Sequence, residues 1–157
     1  RVAGTPQQAY SLGIEYRDPN YWWIGANANF LTDIYLDISP LLRTNNFFNE
    51  PGQGGAAFND VDTNVAKRLL KQEKLDDIFL LNVQGGKSWR INGKTFGFFA
   101  SVNNVLGLEY KTGGFEQARN ANYRELLMDH ASGTRTFGPK YFYGFGRTYF
   151  LNLYINF

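Results

Sequence analysis

Three short motifs in the sequence carry residue types that could do chemistry. Asp129, His130 and Ser132 are the side chains of a hydrolytic triad, in which a histidine accepts a proton from a serine hydroxyl. Three residues this close along one chain seldom point at one reacting centre, so we interpret His130 as an ordinary loop residue. We therefore predict no catalytic residues and expect that the chain is not an enzyme.

A second motif, GGKS at residues 85–88, matches the end of a phosphate-binding P-loop. The complete pattern needs a glycine at position 81 and a helix after the motif. Position 81 is Leu81, and Trp89 continues a strand pattern instead of opening a helix. We therefore predict no nucleotide site.

The third motif, Asp60, Asp62 and Asn64, has the spacing that opens a calcium-binding loop. Such a loop needs a glycine at its sixth position and a bidentate glutamate at its twelfth. Those positions hold Val65 and Lys71. A solvated helix start is the favoured interpretation, and weak calcium binding by the outer carboxylates stays open.

Composition excludes further kinds of chemistry. The 157 residues include no Cys and one His, so a disulfide framework, a thiolate nucleophile and a multi-histidine metal site are excluded. The 16 Lys and Arg residues nearly balance the 14 Asp and Glu residues, which gives little support for a nucleic-acid surface. We predict no cofactor, no metal site and no nucleic-acid partner.

The elements that would carry any site are predicted from hydrophobic periodicity. Apolar and polar residues alternate with period two in five blocks, which predicts an all-β chain of five antiparallel strands. The predicted strands cover about residues 8–17, 21–36, 78–91, 95–106 and 141–157. Long loops cover about residues 37–77 and 107–140, and the spacing of Val61, Val65 and Leu69 predicts a short helix in the first.

The predicted connections alternate between short turns and long loops, which is typical of outer-membrane β-barrels. Aromatic residues make up 17% of the chain, and several flank the two short turns, where an interfacial girdle would lie. The predicted girdle consists of Tyr16, Tyr21, Trp22, Trp23 and Trp89. The alternative is a soluble antiparallel sandwich or barrel that binds glycan through surface aromatics. A small outer-membrane enzyme would need a hydrolytic constellation that the sequence lacks.

The strand count and the charge pattern refine the membrane interpretation. Bacterial single-chain barrels have an even number of strands, so five strands predict part of a larger barrel, and we expect a mature or excised segment. No uncharged stretch approaches the roughly 18 residues of a membrane helix. Arg147 falls on the presumed lipid face, where strand rise and tilt predict a position at the outer interface.

Four segments of the chain resemble the C-terminal end of TonB-dependent outer-membrane receptors, most closely the large receptors with an N-terminal carboxypeptidase-regulatory-like domain. They are YWWIGANANFLTDIYLDISPLLRT at 21–44, FASVNNVLG at 99–107, GGFEQARNANYRE at 113–125 and FGPKYFYGFGRTYFLNLYINF at 137–157. The resemblance implies a 22-stranded barrel that encloses a plug domain, with these five strands as its last. It places the protein in the bacterial outer membrane, with the C-terminus periplasmic and the long loops extracellular.

The resemblance also implies partners and a role for the last strand. The partners are outer-membrane lipid, the rest of the barrel and its plug, TonB through the N-terminal part, and the barrel-assembly machinery. Whether a lipoprotein covers the outer face stays open. The implied assembly signal alternates along the last strand and consists of Tyr149, Leu151, Leu153, Ile155 and Phe157.

Candidate contacts lie in the second long loop and on the polar face of the second strand. Loop residues Arg119, Asn120, Tyr123 and Arg124 combine polar donors with a stacking aromatic ring. They would contact ligand or plug, or would only hold the outer loops to one another, and the sequence does not separate these alternatives. For Asn27 and Asn29 we favour packing against the plug over contact with substrate.

Overall fold

The structure is a computed structural model that describes residues 1–51, 55–117 and 121–157. Its described residues form a mostly β fold. The strands are β1 (Gln8–Asp18), β2 (Trp22–Thr32), β3 (Ile78–Ile91), β4 (Lys94–Asn103), β5 (Lys111–Phe115), β6 (Lys140–Tyr143) and β7 (Thr148–Asn156), and the helices are α1 (Thr63–Leu69) and α2 (Tyr123–Ala131).

The chain divides into two compact units. The sheet unit comprises Pro6–Asp33, Asp76–Tyr110 and Tyr143–Phe157, and the loop unit comprises Arg1–Thr5, Ile34–Leu75 and Lys111–Phe142. Each unit draws on distant parts of the sequence.

The sheet unit is an antiparallel meander in which strands follow one another in the order β1, β2, β3, β4 and β7. The five-stranded antiparallel sheet predicted from the alternation is therefore present. A tight turn at Asn92 and Gly93, both with positive φ (50° and 80°), joins β3 to β4, as in hairpins with a type I′ turn. Asp18 fixes the turn between β1 and β2, because its Oδ1 accepts from the Asn20 backbone at 2.8 Å.

The loop unit has an apolar core of its own. Phe47 packs edge-on against Tyr123, with 6.2 Å between ring centroids. The core consists of Leu42, Phe47, Phe58, Ala66, Ala121, Tyr123 and Leu126. No helix in the described part of the chain is long and apolar enough to cross a membrane.

Several predicted boundaries differ from those observed. The predicted strand at 21–36 ends at Thr32 because Asp33 adopts a left-handed conformation, with φ of 58°. The predicted strand at 95–106 ends at Asn103, and Asn104 is likewise left-handed, with φ of 50°. Both residues turn the backbone out of the sheet.

The predicted last strand, 141–157, is in fact two strands. β6 pairs with β5 in a separate two-stranded sheet, and β7 pairs with β4. The strand structure is interrupted between β6 and β7 near Gly144, whose backbone N–H donates to the Tyr110 carbonyl at 2.9 Å. The Tyr110 ring occupies the space that a Cβ at Gly144 would fill. The loop at 107–140 consequently contains β5 and a second helix, α2, which the sequence prediction lacked.

Candidate functional site

The largest candidate site is one face of the five-stranded sheet. Strand register places apolar side chains opposite one another from edge to edge. One such row consists of Ile14, Ala26, Val83, Val102 and Tyr149, and the next consists of Tyr16, Ile24, Gly85, Ala100 and Leu151. We call this surface the apolar face. Most of its side chains are apolar or aromatic, and its charged residues within the strands, Asp18, Lys87 and Lys94, lie at the end that carries the two short turns.

No apolar side chain of the apolar face is buried. At the outer strands Leu12 is 77% exposed and Leu153 is 75% exposed, while Val83 in the middle is half-buried by its neighbours. Among the described residues the buried apolar side chains belong to the loop unit, with the exception of Ile78. The sheet therefore presents an extended apolar surface that needs a cover.

Aromatic rings gather at the end of the apolar face that carries the two short turns. Tyr16 packs on Trp22 with 5.3 Å between centroids, and Trp89 lies 5.9 Å from Phe98. Tyr21 sits in the first turn and is exposed, and its carbonyl accepts from the Ser88 N–H. Tyr16, Tyr21, Trp22 and Trp89 belong to the predicted girdle, whose role at a membrane interface stays a prediction, and Phe98 is an additional ring at this end.

Trp23 is the exception within the predicted girdle. Strand alternation turns it to the opposite face, where it stacks on Phe99 at 5.9 Å, and Phe99 in turn contacts Phe150 at 5.9 Å. Trp23 also contacts the position of a Cβ at Gly86. Trp22 and Trp23 are neighbours in β2 and therefore point to opposite faces of the sheet.

The opposite face of the sheet is more polar and is closely packed. Asn27 Nδ2 donates to Ser11 Oγ at 3.0 Å across the first hairpin, and Asn29 is half-buried beside the same serine in register. Gly97 lies beneath the Tyr154 ring, which occupies the space of a Cβ. We call this surface the polar face.

β7 forms one edge of the sheet, and β1 forms the other. All nine residues of β7 are exposed. Alternate residues of β7 lie on the apolar face beside β4, namely Tyr149, Leu151, Leu153 and Ile155. Phe157 follows the strand, and the Lys94 Nζ lies 4.5 Å from the centroid of its ring. Among the described residues, the outer backbone groups of β1 and β7 pair with no further strand. Arg147 precedes β7, and its Nη2 lies 3.3 Å from the position that a Cβ on Gly107 would take.

The candidate loop contacts have structural partners. Tyr123 is 3% exposed, and its hydroxyl accepts from the Asp62 N–H at 3.2 Å. Of the two alternatives for Tyr123, its burial in the core favours holding the outer loops to one another over contact with a ligand. Arg124 donates to Glu50 at 3.1 Å and to Asp60 at 2.8 Å, which favours loop-to-loop bonding. Arg119 and Asn120 lie outside the described residues.

The triad-like residues do not converge. Asp129 is buried, and its carboxylate accepts from the backbone N–H groups of Thr136 and Phe137. Ser132 Oγ donates to backbone carbonyls, whereas the His130 ring faces Arg135. Burial lowers the pKa of His130, and the positive charge of nearby Arg135 lowers it further. The negative charge of Asp129 acts in the opposite direction and raises this pKa, with a smaller effect.

The other two motifs also have structural roles. Residues 85–88 lie within β3, which has no helix after it. Asp62 caps α1 by accepting from the backbone of Asn64 and Val65. Asp60 pairs with Arg124, and this hydrogen bond lowers the pKa of Asp60.

Sequence reasoning missed α2 and the ion pair between Arg43 and Glu116. The helix has a capping box in which Asn122 and Glu125 exchange hydrogen bonds, and this N-x-x-E spacing is legible in the sequence. Arg43 donates two hydrogen bonds to Glu116, at 2.7 and 2.9 Å. Because the partners are 73 residues apart, no local pattern signals them.

No protein-family model matches the sequence, and no curated protein matches it. The resemblance to TonB-dependent receptors stays a prediction.

Proposed function

We propose that this chain is part of the wall of a TonB-dependent outer-membrane transporter and contributes its last five strands. In this proposal the apolar face contacts lipid, the polar face contacts the interior of a 22-stranded barrel and its plug, and the loop unit is extracellular. The substrate is a nutrient whose identity the chain leaves undetermined.

The observation that carries the proposal is the uncovered apolar face. A five-stranded soluble sheet normally buries such a face against a second layer. Here the exposed side chains run from Leu12 at one edge to Leu153 at the other, and an extended exposed apolar patch marks a surface that contacts a partner or a membrane. Hydrocarbon lipid is a cover of suitable chemistry and extent.

Two further features support the same proposal. Both edges of the sheet leave backbone groups available for neighbouring strands, which a larger barrel would supply. The exposed, alternating β7 suits strand addition by the assembly machinery, for which a free edge is a template. Only the resemblance to TonB-dependent receptors supports the proposed partners, which are TonB, the plug and the assembly machinery.

Purification with and without detergent tests the proposal against the soluble glycan-binding sandwich. We expect the chain to be monodisperse in detergent micelles and to aggregate when detergent is removed. A chain that stays monodisperse and resists proteolysis without detergent would contradict the membrane assignment. Glycan binding under those conditions would then favour the sandwich.

The coding sequence upstream of residue 1 gives a second test. A TonB-dependent receptor carries its plug domain before its barrel strands, so we expect a plug-coding sequence there. Its absence would overturn the transporter assignment while leaving the membrane location of the sheet intact.

A further inference from the structure

The loop unit contains a cavity of about 720 Å³ that none of the roles above explains. Its volume lies within the range of about 300 to 1,000 Å³ common for small-molecule sites. The charged part of its wall includes Arg68, Lys71, Lys74, Arg135, Glu73 and Glu116. Cations therefore outnumber carboxylates in this wall.

The two carboxylates of the wall are already engaged. Glu116 accepts both hydrogen bonds of Arg43 and a third from the Ser39 N–H at 2.8 Å, and the side chains of this ion pair are largely buried. Arg43 does not line the cavity, so its charge offsets that of Glu116 without adding to the lining. Glu73 accepts from the Tyr141 hydroxyl at 2.8 Å. With the charge of Glu116 offset by Arg43, the cations that line the cavity still outnumber its carboxylates.

Arg135 is held in place at the wall. Its Nη2 donates to His130 Nε2 at 2.8 Å, and its Nε lies 3.9 Å from the Asp129 carboxylate. Asp129 in turn fixes the backbone that follows Arg135, through the N–H groups of Thr136 and Phe137. A guanidinium positioned by two partners loses little conformational entropy when it binds an anion.

Arg68 and Lys71 have no ion-pair partner within the described ranges 1–51, 55–117 and 121–157. Arg68 is in the last turn of α1, and Lys71 follows that helix. Both side chains are exposed. They can therefore reorient toward an anion without first breaking a salt bridge.

We propose that this cavity binds a small molecule that carries a carboxylate, sulfate or phosphate group. Arg68, Lys71 and Arg135 supply the charge that recognises the anion. Tyr35 and Phe137 supply aromatic surface for the uncharged part of the ligand. Every lining residue belongs to the loop unit, so this proposal does not depend on the membrane proposal.

Titration calorimetry on the full chain in detergent, at low ionic strength, tests the site. The probes are citrate, inorganic sulfate and inorganic phosphate, and maltose serves as an uncharged comparison. We expect saturable binding of at least one anion, which identifies the preferred group. Added sodium chloride should weaken that binding, because exposed charges are screened.

Lys67 provides a matched control variant for the cavity cations. It neighbours Arg68 in the last turn of α1 but does not line the cavity. Lys67→Gln and Arg68→Gln remove the same charge from the same helix end. We expect Arg68→Gln, and separately Lys71→Gln, to weaken anion binding about fivefold, while Lys67→Gln changes it less than about twofold.

Several results would overturn the proposal. One is the absence of saturable binding by all three anions up to about 10 mM, where even a millimolar site would be filled. Equal weakening of anion binding by Lys67→Gln and Arg68→Gln would show that the anion responds to the overall charge of the protein and not to the cations of the cavity. Binding that no cavity variant weakens, or maltose binding as tight as anion binding, would also overturn it.

Discussion

The Arg43–Glu116 pair is the interaction on which the loop unit depends most at the scale of single residues. Arg43 also donates to the carbonyls of Ser39 and Leu70, at 2.9 and 2.8 Å. One guanidinium thereby links three separate segments of the chain. Its geometry is bidentate, the form in which arginine binds a carboxylate most strongly.

Replacement of Arg43 tests that role. Arg43→Met removes two of the three hydrogen bonds that Glu116 accepts and one from each of two carbonyls in a largely buried site, and we expect it to destabilise the loop unit by about 2 to 3 kcal/mol. Thermal unfolding and trypsin resistance of the 34–75 segment would measure the loss. Lys67→Met, at an exposed position, is the control. An equal effect of the two substitutions would contradict the assigned role.

The lowered pKa of His130 predicts a pH dependence. The unfolded chain, with a histidine pKa near 6.5, binds a proton more readily than the folded chain. Folding stability should therefore fall as pH drops below about 6.5 toward the lower folded pKa. We expect the melting temperature of the parent to fall more between about pH 8 and pH 5 than that of His130→Asn. Parallel curves for the two proteins would refute this.

At the scale of elements, the sequence predicts features that depend on neighbouring residues and does not predict pairings between residues far apart in the chain. Strict alternation predicted β1 and β2, and the Asn92–Gly93 turn predicted the second hairpin, because period and turn chemistry are local properties. The pairing of β5 with β6 depends on residues far apart in sequence, so no local pattern could predict it. α2 was missed although its capping box is local.

The capping box of α2 gives a prediction at this scale. Asn122 is 7% exposed, and its side chain accepts from the Glu125 N–H at 2.9 Å. We expect Asn122→Ala to cost about 1 kcal/mol and to increase fraying of the first turn of α2. Amide hydrogen exchange in α2 would report it. Asn46→Ala, at an exposed site, should have no such effect, and unchanged exchange in Asn122→Ala would contradict the capping role.

At the scale of the whole molecule, the loop unit and the sheet unit differ in whether their apolar side chains are buried. The loop unit buries its own core, whereas the apolar side chains of the sheet's apolar face are exposed or half-buried. The sequence pattern was sufficient to predict the two faces of the sheet, because side chains alternate strictly along a strand. The cavity and its basic wall could not be predicted, because its residues come from four separate segments of the loop unit.

Charge insertion distinguishes the two faces. Val83 is on the apolar face, between Ala26 and Val102, and Gln84 is its neighbour on the polar face. We expect Val83→Arg to reduce the fraction of protease-protected sheet in lipid vesicles, because an arginine near the bilayer midplane costs about 2 to 4 kcal/mol. Gln84→Arg introduces the same charge and should be tolerated. Equal loss in both variants would argue against a lipid-facing side.

The central claim is that lipid covers the apolar face, and the chain's lack of cysteine permits a direct measurement. A fluorescent label is attached to Val83→Cys or to Gln84→Cys in vesicles that contain spin-labelled lipid. We expect lipid to quench the label strongly at position 83 and weakly at position 84, with the reverse order for an aqueous quencher. Equal access of the aqueous quencher to both positions would contradict it.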